Sequence, residues 1–220
     1  MAKMKSIKKY YFTVEGETEL WYLKWLQDRI NKSKEALYRV SFDCQVQKNP
    51  LKRAKSMVVT GKTEIWHLSD YESDEKLHEK QFIETMDNMK AAKNIGKQLD
   101  YKFGYSNLTF DLWIIIHKID CNSSYAHRKN YISAINSAYD EHFENMKEYK
   151  RENNFKRCLG KLELGNVINA VNRANMIKKQ NEDKRYILHQ YKGYSYYKEN
   201  PSMTIQEIIQ KILMTCGLMH

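Results

Sequence analysis

Two stretches of this chain repeat one pattern: an apolar, β-branched run stops on acidic residues, and a segment of helical periodicity follows at once. In the first, Ile7 to Val14 reads as a buried strand that ends at Glu15-Gly16. Leu20, Trp21, Leu23, Trp25, Leu26 and Ile30 then recur at helical spacing, with Glu17 and Glu19 in the first turn, where the macrodipole favours acids. In the second, Thr63 to Leu68 runs into Ser69-Asp70-Tyr71-Glu72-Ser73-Asp74, and Leu77, Phe82, Ile83, Met86 and Met89 suit a helix ending near Gly96. Between the two, Val40, Phe42, Cys44 and Val46 alternate within a strand over 38–46, and Pro50 opens a short helix. Strands that alternate with helices pair in parallel through right-handed crossovers, and such open sheets gather function just beyond the carboxyl ends of their strands. The expectation is an α/β fold, a central and mainly parallel sheet flanked by helices, with both acidic turns facing one crevice.

Beyond Tyr105 the pattern is mostly helical. The apolar segment 108–119 leans to helix, further helices are expected over 130–152 and 162–179, and a closing helix near 204–214 presents Ile205, Ile208, Ile209, Ile212 and Leu213 on one face. We therefore expect a core over residues 1–120 and a mainly helical elaboration over 121–220 packed on it. Two prolines, eight glycines and no internal repeat leave no flexible linker and no solenoid.

A net charge of +10 favours an anionic partner, and nucleic acid is the commonest that rewards such a field; a merely solvated basic surface is the alternative. The longest apolar run, Leu112 to Ile116, is far short of the roughly 20 residues that cross a bilayer, so no membrane partner is expected. Lys3, Lys5, Lys8 and Lys9 resemble the start of a signal peptide, but the apolar residues 10–14 are too few for its core, which points to the cytoplasm. Cys44, Cys121, Cys158 and Cys216 contain no CxxC pair and read as reduced thiols rather than as a zinc knuckle or a disulfide framework.

The chemistry lies in the two acidic turns. Glu15 from one strand end, and Asp70, Glu72 and Asp74 from the other, make a hard-oxygen set that suits magnesium, which prefers oxygen ligands and keeps several waters for substrate. The plainer alternatives are a solvated acidic loop capping the next helix and a salt bridge from Glu15 to a neighbouring lysine. A second surface is the stretch in which Lys184, Arg185, Lys192 and Lys198 are interleaved with Tyr191, Tyr194 and Tyr196. Basic groups there follow a phosphate backbone while aromatic faces stack on unpaired bases, unless the tyrosines are half buried in an edge strand. Lys147, Lys150, Arg151, Lys156 and Arg157 read as a solvated helix face. The chain lacks GxxxxGK[ST], so nucleotide-driven control would come from a partner.

Tyr11-Phe12-Thr13-Val14-Glu15-Gly16-Glu17-Thr18-Glu19 followed by Trp21-Tyr22-Leu23 resembles the opening of RloB/AbiL-type proteins, Toprim-like components of bacterial phage-defence and abortive-infection loci. Three further blocks resemble the same family in order: the acidic 70–74 motif, Ser106-Asn107 through Phe110-Asp111-Leu112-Trp113 to His117, and Asn200-Pro201-Ser202-Met203-Thr204. Leu108, Asp111 and Glu72 stand where proline, glutamate and aspartate are usual. The resemblance implies a Toprim-like core and a metal-dependent nuclease using magnesium (or manganese). It makes Glu15 the general acid or base, Asp70 and Glu72 the metal ligands, and Asp74 a further ligand. Asp111 and His117 complete the catalytic set, with Gly16, Glu19, Ser106 and Asn107 in support. It also implies a separately encoded ATPase partner. For His117 the plainer reading is a core histidine bonded to backbone. The rival function is a non-catalytic nucleic-acid-binding or partner-sensing module whose carboxylates serve only as caps or salt bridges.

Overall fold

The computed structural model describes residues 5–120 and 130–220. Lys3 and Cys121 lie outside the described residues, as does the start of the expected helical elaboration. The first three strand–helix units are β1 (Ile7–Val14) with α1 (Glu17–Lys32), β2 (Arg39–Val46) with α2 (Pro50–Ser56), and β3 (Thr63–Tyr71) with α3 (Lys76–Ala92). Then come β4 (Leu99–Asn107), α4 (Asp111–Ile115), α5 (Tyr131–Tyr139), α6 (Met146–Tyr149), α7 (Glu152–Gly160) and α8 (Leu164–Asp183). A hairpin of β5 (His189–Tyr191) and β6 (Tyr194–Tyr196) precedes β7 (Ser202–Met203) and α9 (Ile205–Thr215). The main sheet has the order β2-β1-β3-β4-β7, with the first four strands parallel and β7 antiparallel. The α/β expectation with a mainly parallel sheet is therefore met.

The period-two alternation of the strands divides the sheet's faces between two cores. Phe12 and Val14 of β1 with Trp66 and Leu68 of β3 face one side, where α1, α4, α5, α7, α8 and α9 pack. Ile65 and Tyr71 of β3 with Leu99, Tyr101, Phe103 and Tyr105 of β4 face the other, where Phe82, Met86 and Met89 of α3 cover them. Strand β1 is solvated where it begins and fully buried at Phe12, Thr13 and Val14, so its carboxyl end delivers Glu15 to the interior edge of the sheet.

Several elements differ from the sequence reading. Strand β3 continues through Asp70 to Tyr71, because β4 pairs with it as far as Tyr71↔Asn107; Asp70 is a strand residue, not a turn residue. Helix α3 ends at Ala92, and Gly96, at a φ of 76° that disfavours side chains, turns the chain into β4. Strand β4 itself was unassigned by the sequence reading. The 108–119 helix is confined to α4, and the helix expected over 130–152 is broken into α5, α6 and the start of α7, with Asp140 left-handed at the first break. Both the Asn107–Leu108 and the Asn200–Pro201 peptides are cis, and the Tyr131 hydroxyl bridges the first, accepting from the Leu108 amide and donating to the Asn107 carbonyl, each at 3.2 Å.

Candidate functional site

The strand register assembles the site. Val14 is level with Leu68, so the next residues, Glu15 and Ser69, meet, and the Ser69 hydroxyl donates to Glu15 Oε1 at 2.6 Å. Asp70 is level with Ser106 on β4, whose hydroxyl donates to Asp70 Oδ1 at 3.1 Å. Gly16 makes room for a third acid: a Cβ at that position would lie 3.2 Å from Glu19 Oε2. Glu19 is buried in the first turn of α1, accepting the Thr18 hydroxyl at 2.8 Å. Asp111 opens α4 with no exposed surface, and its Oδ2 takes both the Thr109 hydroxyl and the Lys150 ammonium at 2.8 Å. Its other oxygen, Oδ1, is buried without a hydrogen-bond partner.

These four carboxylates act on one another. Burial above all, then repulsion from Glu19 and Glu15, holds the Asp70 carboxyl well above the usual range, against the pull of Lys150. Burial likewise raises Glu15 to about 7, with Glu19 adding to the shift while Ser69, Lys48 and the Asp70 amide oppose it. Glu19 is raised mainly by burial, with Asp111 contributing and Thr18 and Lys150 opposing. Desolvation pulls Lys150 down, yet Asp111, Asp70 and Glu19 together hold its ammonium above the ordinary value. A group whose charge is resisted by burial and by like charges is the usual signature of a functional carboxylate, although structural networks share it.

Glu15, Asp70 and Glu72 line one cleft of about 310 Å³ between the sheet's carboxyl edge and α3, together with Lys48 and His78. The two acidic segments thus face each other. Glu72 lies 3.6 Å from His78 Nε2. Asp74 is exposed in the turn before α3 and does not line the cleft. His117 is placed in the core instead: its Nδ1 donates to the Trp113 carbonyl at 2.7 Å, and its Nε2 faces the Tyr22 hydroxyl at 3.1 Å. Burial holds its pKa down at about 3, so both nitrogens are committed and the ring stays neutral. Asn107 donates to the carbonyls of Lys198 (2.8 Å) and Glu199 (3.1 Å), tethering the segment after the hairpin.

The basic and aromatic stretch is divided. Tyr194 and Tyr196 are buried, their rings packed on Phe103 and Phe82, so their faces belong to the second core. Tyr191 donates to Asp87 at 3.0 Å, Lys192 lies 3.9 Å from the same carboxylate, and Lys198 pairs with Glu79. Lys184 and Arg185 are exposed.

Sequence reasoning missed Ser69, Lys48, Thr109 and, above all, Lys150, which was read as part of a solvated face. Lys150 is distant in sequence from every acid it meets, so no local spacing could have marked it. Among the described residues, no three His, Cys, Asp or Glu side chains converge on a point that would hold a metal ion. Magnesium does not require such a cage: it binds through one or two carboxylates, water and substrate phosphate, and Glu15, Asp70 and Glu72 across one cleft supply oxygen donors of that kind. Among the described residues no helix is long and apolar enough to cross a membrane. A family model described as RloB-like protein matches residues 10–212. No curated protein and no solved structure matches the chain.

Proposed function

Because the chain belongs to the RloB-like protein family, we propose that it is a divalent-cation-dependent nuclease on a Toprim-like core, the effector of a bacterial phage-defence system working with a separately encoded ATPase. The observation that carries this reading is the meeting of Glu15 and Asp70, both with raised pKa values, in one cleft at the ends of adjacent parallel strands. A bound magnesium or manganese ion would polarise the phosphoryl group of a nucleic-acid backbone. Asp70, oriented by Ser106, would hold that ion with Glu72 at the cleft. Glu15, oriented by Ser69 and titrating near 7, would take or return the proton of the attacking water, since a base works best when its pKa lies near the working pH. Lys48, beside Glu15 in the cleft, would meet the incoming phosphate.

The test is incubation of the protein, and of equally folded Glu15→Gln and Asp70→Asn variants, with mixed RNA and DNA, with and without magnesium or manganese. Cation-dependent cleavage by the parent, reduced at least a hundredfold in each variant, is the expected result, because general acid–base groups contribute roughly that much. The same assay with the ATPase copurified from the native locus decides against the rival, a non-catalytic binding module, which the absence of three converging ligands among the described residues favours. Equal activity in parent and variants would remove Glu15 and Asp70 from the mechanism.

A further inference from the structure

The cleft beside Glu15 is walled largely by side chains that carry no charge. Gln47 and Asn49, in the turn that joins β2 to α2, form one wall, and Gln81, Thr85 and Asn88 of α3 form the other. The spacing of 81, 85 and 88 puts those three on one face of α3, while Phe82, Met86 and Met89 bury the neighbouring face in the second core. Affinity for a phosphate backbone comes chiefly from lysine and arginine. Among the lining residues there is one lysine, Lys48, against four carboxamides.

The hydrogen-bonding capacity left on the two walls is complementary. Gln47 Oε1 accepts the Asn49 amide at 3.2 Å and Asn49 Oδ1 accepts the Lys52 amide at 2.9 Å, so each has its oxygen engaged and its side-chain nitrogen left to donate. Asn88 is the reverse: its Nδ2 donates to the Glu84 carbonyl at 2.9 Å, which leaves Oδ1 to accept. The Gln81 side chain is exposed in the same cleft and makes no hydrogen bond among the described residues, so it offers both a donor and an acceptor. The cavity, about 310 Å³, is at the lower end of the roughly 300–1,000 Å³ that small-ligand sites occupy. A single planar base, with donors and acceptors on one edge, matches both the size and the chemistry.

We infer that this cleft takes one unpaired nucleobase, adenine, next to the phosphodiester presented to Glu15. This rests on the nucleic-acid reading above and specifies which nucleotide the site selects. A carboxamide pairs bidentately with the amine and adjacent ring nitrogen of adenine. Gln81 is the carboxamide free to make that pair, Asn88 adds an acceptor for the amine, and Gln47 and Asn49 add donors for ring nitrogens. No arginine, the usual reader of guanine, lines the cleft among the described residues. Glu84 does line it, and a carboxylate accepts from the amine of cytosine, so cytosine is the competing base.

The experiment measures fluorescence anisotropy of short A, C and U homopolymers, as RNA and as DNA, in EDTA and again in calcium. The parent should bind oligo-A at least tenfold more tightly than oligo-U, the discrimination expected of one good bidentate pair. Gln81→Ala and Asn88→Ala, each shown by urea unfolding to be as stable as the parent, should lower oligo-A affinity to the oligo-U level and leave oligo-U binding and its salt dependence unchanged. Lys48→Ala should instead weaken all homopolymers alike. Gln81→Glu, which replaces the donor with a second acceptor, should move the preference from oligo-A to oligo-C. Equal affinity for the three homopolymers, or an oligo-A preference that survives in both alanine variants, overturns the base site. A parent preference for oligo-C overturns the choice of adenine. No binding of any homopolymer in either condition also overturns the base site, and the nuclease reading is decided separately by cation-dependent cleavage in the parent against Glu15→Gln.

Discussion

Glu15 is the residue whose chemistry was most legible in the sequence, since a carboxylate directly after a buried strand must be either paired or functional. What the sequence did not hold was the company it keeps. Ser69 reaches it only through the β1–β3 register, and Asp111 and Lys150 reach the cluster from other elements. That company has a measurable consequence. Glu15 titrates near 7 in the folded protein against an ordinary 4.5, so between those values the native state keeps a proton that the unfolded chain has released. Stability must then fall as pH rises through that window and stay level above it, by at most about 3 kcal/mol from this group. Glu15→Gln, which keeps the shape and cannot ionise, should be more stable than the parent at pH 8 and indistinguishable from it near pH 4.5. Urea unfolding at the two pH values checks this, and a variant that is less stable at pH 8 would show Glu15 to be a paired structural acid.

The strand–helix units before residue 92 were readable in kind and order, β1 and β2 almost to the residue, because each carries its own periodicity and its own punctuation. Strand β4 went unassigned although Leu99, Tyr101, Phe103 and Tyr105 alternate, since Asp100, Lys102 and Gly104 between them resemble a loop until a neighbouring strand pairs with them. The helices after residue 130 were run together because their breaks are set by distant contacts, such as Arg157 and Lys161 pinning Glu141 just past the end of α5. The hairpin illustrates the same limit: its tyrosines read equally as stacking platforms or as side chains half buried in an edge strand, and the fold takes Tyr194 and Tyr196 into the lid of the second core. Tyr196→Ala should therefore destabilise the fold by about 3–5 kcal/mol, the usual effect of deleting a buried aromatic. Replacing the exposed Lys184 and Arg185, between α8 and the hairpin, with alanine should leave stability within about 0.5 kcal/mol and, if that segment meets nucleic acid, should weaken oligonucleotide binding and flatten its salt dependence. Chemical denaturation and binding across a salt series separate the two effects, and unchanged binding in the double variant would take the segment between α8 and the hairpin out of the interface.

Across the whole molecule, two sets of buried groups pull the pH dependence of stability in opposite directions. His67 and His117 have no exposed surface and are held neutral at about 3 by burial, so from about 6.5 downwards the unfolded chain binds protons that the native state refuses, and stability drops as the solution is acidified. Glu15, Glu19 and Asp70 do the reverse, losing stability as pH rises past the ordinary carboxylate range. Between about pH 4.5 and 6.5 the three acids and two histidines nearly offset each other; above 6.5 the unfolded histidines are neutral too and only the acids' loss remains, while below 4.5 the histidine loss is joined by that of Glu141, whose ion-paired carboxyl is held down at about 2. The stability maximum should accordingly lie near pH 5 rather than at neutrality. A divalent cation that binds the acids in their ionised form should raise the alkaline limb alone, by an amount that grows with its concentration over its dissociation constant. Unfolding free energies from pH 3.5 to 8.5, with and without magnesium, test both statements at once. A maximum at pH 7 or above would mean that the cluster is not strained, and a magnesium effect equal at pH 5 and pH 8 would place the bound cation away from these carboxylates.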